Sequence, residues 1–120
     1  MKRFAFAAFA VLILGAFTAH MVFAQGINTK SEQVMEETIL ALLADDTFDA
    51  VRDYYGESRL YMNEKLVGVQ KVSEHPNVLE AVVQVETFYG AHNPPYGLET
   101  ITFHIQYDGV TLIYFKHQDE

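Results

Sequence analysis

The chain reads as α+β: an N-terminal helical segment packed on a three- to four-stranded antiparallel meander sheet. Three observations predict this. Apolar residues recur every three to four positions from Met35 to Tyr55, alternate every second position after Gly56, and are punctuated by tight turn chemistry such as Asp108-Gly109. Helix first and sheet afterwards is an α+β order, close by analogy to cystatin-like or small NTF2-like arrangements.

Residues 1–24 come before any of this and read as an export signal. Lys2 and Arg3 supply a positive start, Phe4 to Ala19 carry no charge, and Val22-Phe23-Ala24 offers a small residue for cleavage before Gln25. The expected product is secreted or extracytoplasmic. The alternative is an uncleaved N-terminal membrane anchor, because the 21 residues from Phe4 to Ala24 are interrupted by polar side chains only at Thr18 and His20. Either way the two positive residues stay inside and the domain lies outside the cytoplasm. Residues 25–30 form a polar, flexible leader, and 31–120 a single domain.

Thr29 and Glu32 have the spacing of a capping box, with Ser31 as the alternative cap. Met35, Ile39, Leu42 and Leu43 then form an apolar stripe. Asp45 or Asp46 suits a second helix start, and Phe48, Val51, Tyr54 and Tyr55 carry the stripe to a stop at Gly56. This is either one helix bent near Asp45 or two in succession.

Beyond Gly56 the pattern predicts a short extended piece at Ser58–Met62, a strand at Lys65–Val72 and a turn at His75-Pro76-Asn77. Leu79–Tyr89 is the next strand, with Leu79, Ala81, Val83 and Val85 on one face, and Gly90 to Gly97 a wide loop. Glu99–Tyr107 then faces Ile101, Phe103, Ile105 and Tyr107 to one side. A two-residue turn at Asp108-Gly109 places Tyr107 opposite Val110, Phe103 opposite Tyr114, His104 opposite Ile113 and Thr100 opposite His117. An even offset such as Val85 opposite Phe103 brings Glu86 onto the face of His104.

Composition narrows the function. Without Lys2 and Arg3 the chain keeps 6 of its 8 basic residues against 16 acidic ones, a formal charge of -10. Such a chain lacks the basic face that neutralises phosphates, which excludes a nucleic-acid partner. With no cysteine, disulfides and thiolate chemistry are excluded as well.

The least generic stretch runs Glu86-Thr-Phe-Tyr-Gly-Ala-His-Asn-Pro-Pro-Tyr-Gly-Leu-Glu-Thr-Ile-Thr-Phe103. Together with Tyr54-Tyr55-Gly56 it resembles a family of short exported proteins from Gram-positive, Bacillus-type bacteria known only as a domain of unknown function. The resemblance spans about Ser31 to His117 and implies export and a single domain, but no catalytic residue. Read physically, Pro94 and Pro95 stiffen the loop while Gly90 and Gly97 bend its ends, and the Asn93–Pro94 bond stays open between cis and trans.

Tyr89, His92, Asn93, Pro94, Pro95 and Tyr96, flanked by Glu86, Glu99 and His104, therefore form the expected recognition surface for an envelope protein or small ligand. One alternative is a small hydrolase or isomerase in which Glu86 orients His104 as a general base, with His92 or Glu99 arriving from the loop. Another is a homodimer through an outer sheet face carrying Phe88, Ile113 and Phe115. No cofactor motif is present. A metal is not expected either, because His104 and His117 stand four strand positions apart, roughly 13 Å.

Overall fold

The computed structural model describes residues 29–120, so the expected signal segment and the start of the expected leader lie outside the described residues. Contacts divide the chain after Met35, and Glu36–Glu120 forms one packed unit. Two helices precede the sheet, α1 over 29–42 and α2 at Ala44–Tyr55. Four strands follow, β1 Tyr61–Val72, β2 His75–Tyr89, β3 Asn93–Gln106 and β4 Gly109–Asp119, paired antiparallel in chain order. The predicted class is the observed one, with all four strands present.

Residues 29 and 30 are already helical, so Thr29 sits inside the helix it was expected to cap. The apolar stripe is narrower than its spacing suggests. Leu43 is buried and Ile39 packs on the core, but Met35 is 56% and Leu42 76% exposed. Four-residue steps from Ile39 run through Leu43 and Thr47 to Val51; Leu42 lies one helical step of about 100° off that line. The two-helix reading holds, with the break at Leu43 rather than at Asp45. Leu43 is the N-cap of α2 and makes no side-chain cap bond, while Asp45 and Asp46 occupy the first turn, where the helix dipole favours acids. Gly56 ends α2 with φ 72°, as predicted.

The core lies between α2, the last turn of α1 and one sheet face. Leu43, Ala50 and Val51 meet Ala81, Val83, Val85, Ile101 and Phe103, every one of them buried. A fully buried valine or phenylalanine contributes about 1.5–3 kcal/mol, and alternation delivers these residues to a single face.

Turns and offsets differ from expectation at four places. Of the piece expected at Ser58–Met62 only Tyr61 and Met62 are in a strand, which continues through Lys65–Val72 after a register shift between Met62 and Lys65 where Asn63 adopts φ 54°. The first hairpin turns at residues 73 and 74, not at His75-Pro76-Asn77, because Pro76 falls in a bulged stretch where no ladder N–H is required. The wide loop contracts to a turn over residues 90–92, with Tyr89 opposite Asn93. Of the two proline bonds, Pro94–Pro95 is cis.

The last hairpin decides which side chains meet across β3 and β4. Its turn is Tyr107-Asp108, so Gln106 pairs with Gly109, Ile105 with Val110 and His104 with Thr111. Tyr107 stands at the tip, fully exposed, instead of lining the inner face. A bulge at Ile113 then advances β4 by one residue, setting Thr102 opposite Tyr114, Ile101 opposite Phe115 and Glu99 opposite His117. Between β2 and β3 the offset is even, as expected, but four residues away: Val85 faces Glu99, and Ala81 faces Phe103.

Candidate functional site

These offsets collect polar side chains at one end of the sheet, beside the C-terminus of α2. Glu99 is fully buried there, on the core face of β3. β4 brings His117 directly opposite, with Nδ1 2.8 Å from Oε1 and 3.0 Å from Oε2 of Glu99. From β2, Thr87 Oγ1 donates to the same Oε1 at 3.2 Å, and from α2 the Tyr55 hydroxyl donates to it as well. The far nitrogen of His117, Nε2, lies 2.9 Å from the exposed Asp119 carboxylate. Both ring nitrogens thus face carboxyl oxygens, an arrangement that favours the doubly protonated imidazolium. The Glu99 hydrogen bond raises its pKa above the ordinary 6.5, outweighing the opposing effect of burial. Tyr55 is raised too, by burial first and then by its bond to Glu99.

Packing closes the cluster. Tyr54 stacks on Phe115 at 4.5 Å and on His117 at 5.4 Å between ring centres. Gly97, buried, lies against the three oxygens of Tyr55, Thr87 and Glu99. No buried side-chain polar atom among the described residues lacks a hydrogen-bond partner. The cluster is therefore a satisfied, mutually supporting hydrogen-bond network.

Its stability should depend on pH. An imidazolium whose folded pKa exceeds the unfolded value contributes fully below 6.5, and the contribution vanishes as pH rises through the higher folded value. Chemical denaturation between pH 6 and 9 should show the wild type losing stability as pH rises, a slope that His117→Gln should flatten.

Arg59 adjoins this network. Its guanidinium lies 3.9 Å from the centre of the Tyr55 ring and 4.4 Å from that of Tyr89. Tyr89 is itself held by its hydroxyl, which donates to Glu57 Oε1 at 3.0 Å. Phe88 N donates to Leu60 O at 3.2 Å and ties the segment before β1 to β2. Between these residues opens a pocket of about 230 Å³, lined by Glu57, Ser58, Arg59, Phe88 and Tyr89 among others. Among the described residues no carboxylate comes within ion-pair distance of Arg59, whereas Arg52 pairs with Asp49 and Asp53.

The expected recognition residues separate into three groups. Tyr89 and the turn end beside this pocket: His92 is exposed, adopts φ 64° and stacks on Phe88 at 4.2 Å, and its carbonyl accepts the Tyr96 hydroxyl at 2.7 Å. Asn93, Pro94 and Pro95 are exposed at the start of β3. Glu99, expected on the loop surface, is instead the buried centre of the network. Glu86 and His104 are on the outer face but do not meet. Glu86 accepts from Asn63 Nδ2 at 3.2 Å and pairs across to Leu98, while His104 Nε2 contacts Glu80 Oε2 at 3.1 Å. The four-residue change of offset separates them, so the Glu86/His104 pocket does not form.

The outer face also lacks the apolar surface assigned to it. Phe88 is buried, and Phe115 packs against the core cluster, leaving Ile113 at 49% exposure. His104 and His117 occupy opposite faces. Among the described residues no group of three or more His, Asp or Glu side chains is disposed to hold a metal ion. Tyr55, Arg59, Thr87 and His117 are site residues that the sequence pattern does not single out. The available signal is the inward parity of Glu99, which demands a buried partner for its charge.

A family described as "Protein of unknown function (DUF3888)" matches residues 35–119. No curated protein and no solved structure matches the chain.

Proposed function

We propose, for a chain that belongs to the DUF3888 family of proteins of unknown function, that it is an exported, non-enzymatic binding domain working at the cell envelope of a Gram-positive bacterium. Recognition uses the β2–β3 turn, Tyr89 to Tyr96, together with the adjoining Arg59 pocket. The observation that carries this reading is Arg59: a cation packed against two aromatic rings, without a carboxylate partner among the described residues, lining a small pocket. A charged group kept in place yet uncommitted is available to a ligand. The chemistry nearby favours binding over turnover, since both nitrogens of His117 are engaged by carboxylates and Glu99 is sealed from solvent. Export rests on Lys2, Arg3 and the uncharged run to Ala19.

Two measurements test the reading. Intact mass of the protein recovered from culture medium should correspond to a chain starting at Gln25; a mass retaining residues 1–24 would overturn cleavage. Tyr89→Ala and Asn93→Ala, each partly or fully exposed, should leave the thermal midpoint nearly unchanged. Losing a central aromatic contact costs about 2 kcal/mol of binding, or ~30-fold. Cross-linked capture of an envelope partner should therefore fall by that factor in Tyr89→Ala, and undiminished capture by both variants would sink the recognition role.

A further inference from the structure

The geometry points to the ligand class: we infer that the Arg59 pocket takes the carboxylate group of a small molecule or chain end. This rests on the binding role proposed above and names the chemistry of that site. A guanidinium is planar, with five N–H donors around its edge and two flat faces. Here the guanidinium packs against two rings, those of Tyr55 and Tyr89. Its N–H edge, with no carboxylate within ion-pair distance among the described residues, matches a planar carboxylate through two parallel hydrogen bonds.

Preorganisation makes this more than an exposed arginine. Tyr55 is fixed by Glu99 and Thr87 inside the buried network, and Tyr89 by Glu57 at 3.0 Å. The segment bearing Arg59 is pinned where Phe88 N donates to Leu60 O. Each clamp removes freedom that an ordinary surface arginine would lose only on binding, so less of the interaction is spent on ordering. The pocket of about 230 Å³ beside the guanidinium, which Ser58 and Leu60 also line, leaves room for the rest of a small ligand.

Charge separates a carboxylate from a phosphate. Glu57 lines the same pocket and brings its own negative charge. For a phosphate near two charges the attraction to Arg59 and the repulsion from Glu57 both double and largely offset each other. The cost of desolvating the ion grows with the square of its charge, so the site favours the monoanion.

The test follows the Arg59 Nε–H signal by NMR in the mature protein during titration with sodium acetate, then with inorganic phosphate, at constant ionic strength. Acetate should produce a saturable shift with a Kd near the millimolar range, about what one bidentate contact supports. Phosphate should bind several-fold more weakly. Arg59→Gln should abolish the acetate response at the neighbouring Tyr89 and Ser58 amides, and Arg59→Lys, which keeps the charge but loses the fork, should weaken it several-fold. A non-saturating shift, an unchanged response in Arg59→Gln, or phosphate binding more tightly than acetate would overturn the carboxylate assignment. The binding role is judged separately by partner capture with Tyr89→Ala. Capture lost while acetate fails to bind removes the ligand class and keeps the binding role; acetate bound with capture intact does the reverse.

Discussion

His117→Ala should cost about 3 kcal/mol at neutral pH, the low end of the range for removing one member of a buried ion pair, because Glu99 is buried and His117 only partly so. The cost arises less from the lost bonds than from what stays behind. Glu99, fully buried, would be left with only the hydroxyls of Tyr55 and Thr87 as donors. The ring also fills space against Tyr54, so a cavity penalty adds to the electrostatic one. Glu99→Gln in the same background separates the two. It keeps an acceptor for Tyr55 and Thr87 while removing the charge, so the double variant should recover about 1–3 kcal/mol over His117→Ala alone, a coupling typical of groups in direct contact. Urea denaturation of the wild type, both single variants and the double variant measures this cycle. Additive losses would mean that His117 contributes packing and nothing to charge compensation.

That pair shows where reading the sequence succeeds and where it stops. Period-two alternation places Ala81, Val83, Val85, Ile101 and Phe103 on one face, and all are buried there, because parity survives any even change of offset. The offset itself is not carried by parity. Asp108-Gly109 looks like a complete two-residue turn, but the turn is Tyr107-Asp108, neither of them at positive φ, and Gly109 at φ 155° opens the next strand. The bulge at Ile113 then reverses the facing of everything after it, which is why His117 is expected beside Thr100 and is found against Glu99.

The helical end behaves similarly. Tyr55 is legible as an apolar-stripe residue, but nothing in its spacing announces that its hydroxyl reaches a strand 44 residues away. Arg59 lies in a segment without regular structure, where no periodicity assigns a direction. The Tyr89 to Tyr96 stretch is unusual in composition, and that much is legible; its shape is not, since the prolines start a strand rather than stiffen a broad loop.

Gly97→Ala should be the other strongly destabilising change, and for steric reasons alone. A Cβ on residue 97 would stand 2.7 Å from Thr87 Oγ1 and 2.8 Å from the Tyr55 hydroxyl, with Glu99 Oε1 closer still. Contacts below 3.0 Å force something to move, and none of these atoms is free to do so: each is held by the other members of the network. Overpacking at a tight site costs about 1–3 kcal/mol and occasionally more, which for a domain of this size lowers Tm by about 4–8 °C per kcal/mol. Gly68→Ala supplies the control, because a Cβ there meets nothing within 4 Å and adding it to a strand should change stability by at most about 0.5 kcal/mol. Tyr55→Phe supplies the second comparison. On its own it loses a buried hydrogen bond, but combined with Gly97→Ala it removes one of the three obstructing oxygens, so the pair should be less destabilised than the sum of the two single changes. Equal Tm losses for the alanines at 97 and 68 would mean that the network yields to a methyl group, and the fixed placement assigned to Tyr55 beside Arg59 would fall with it.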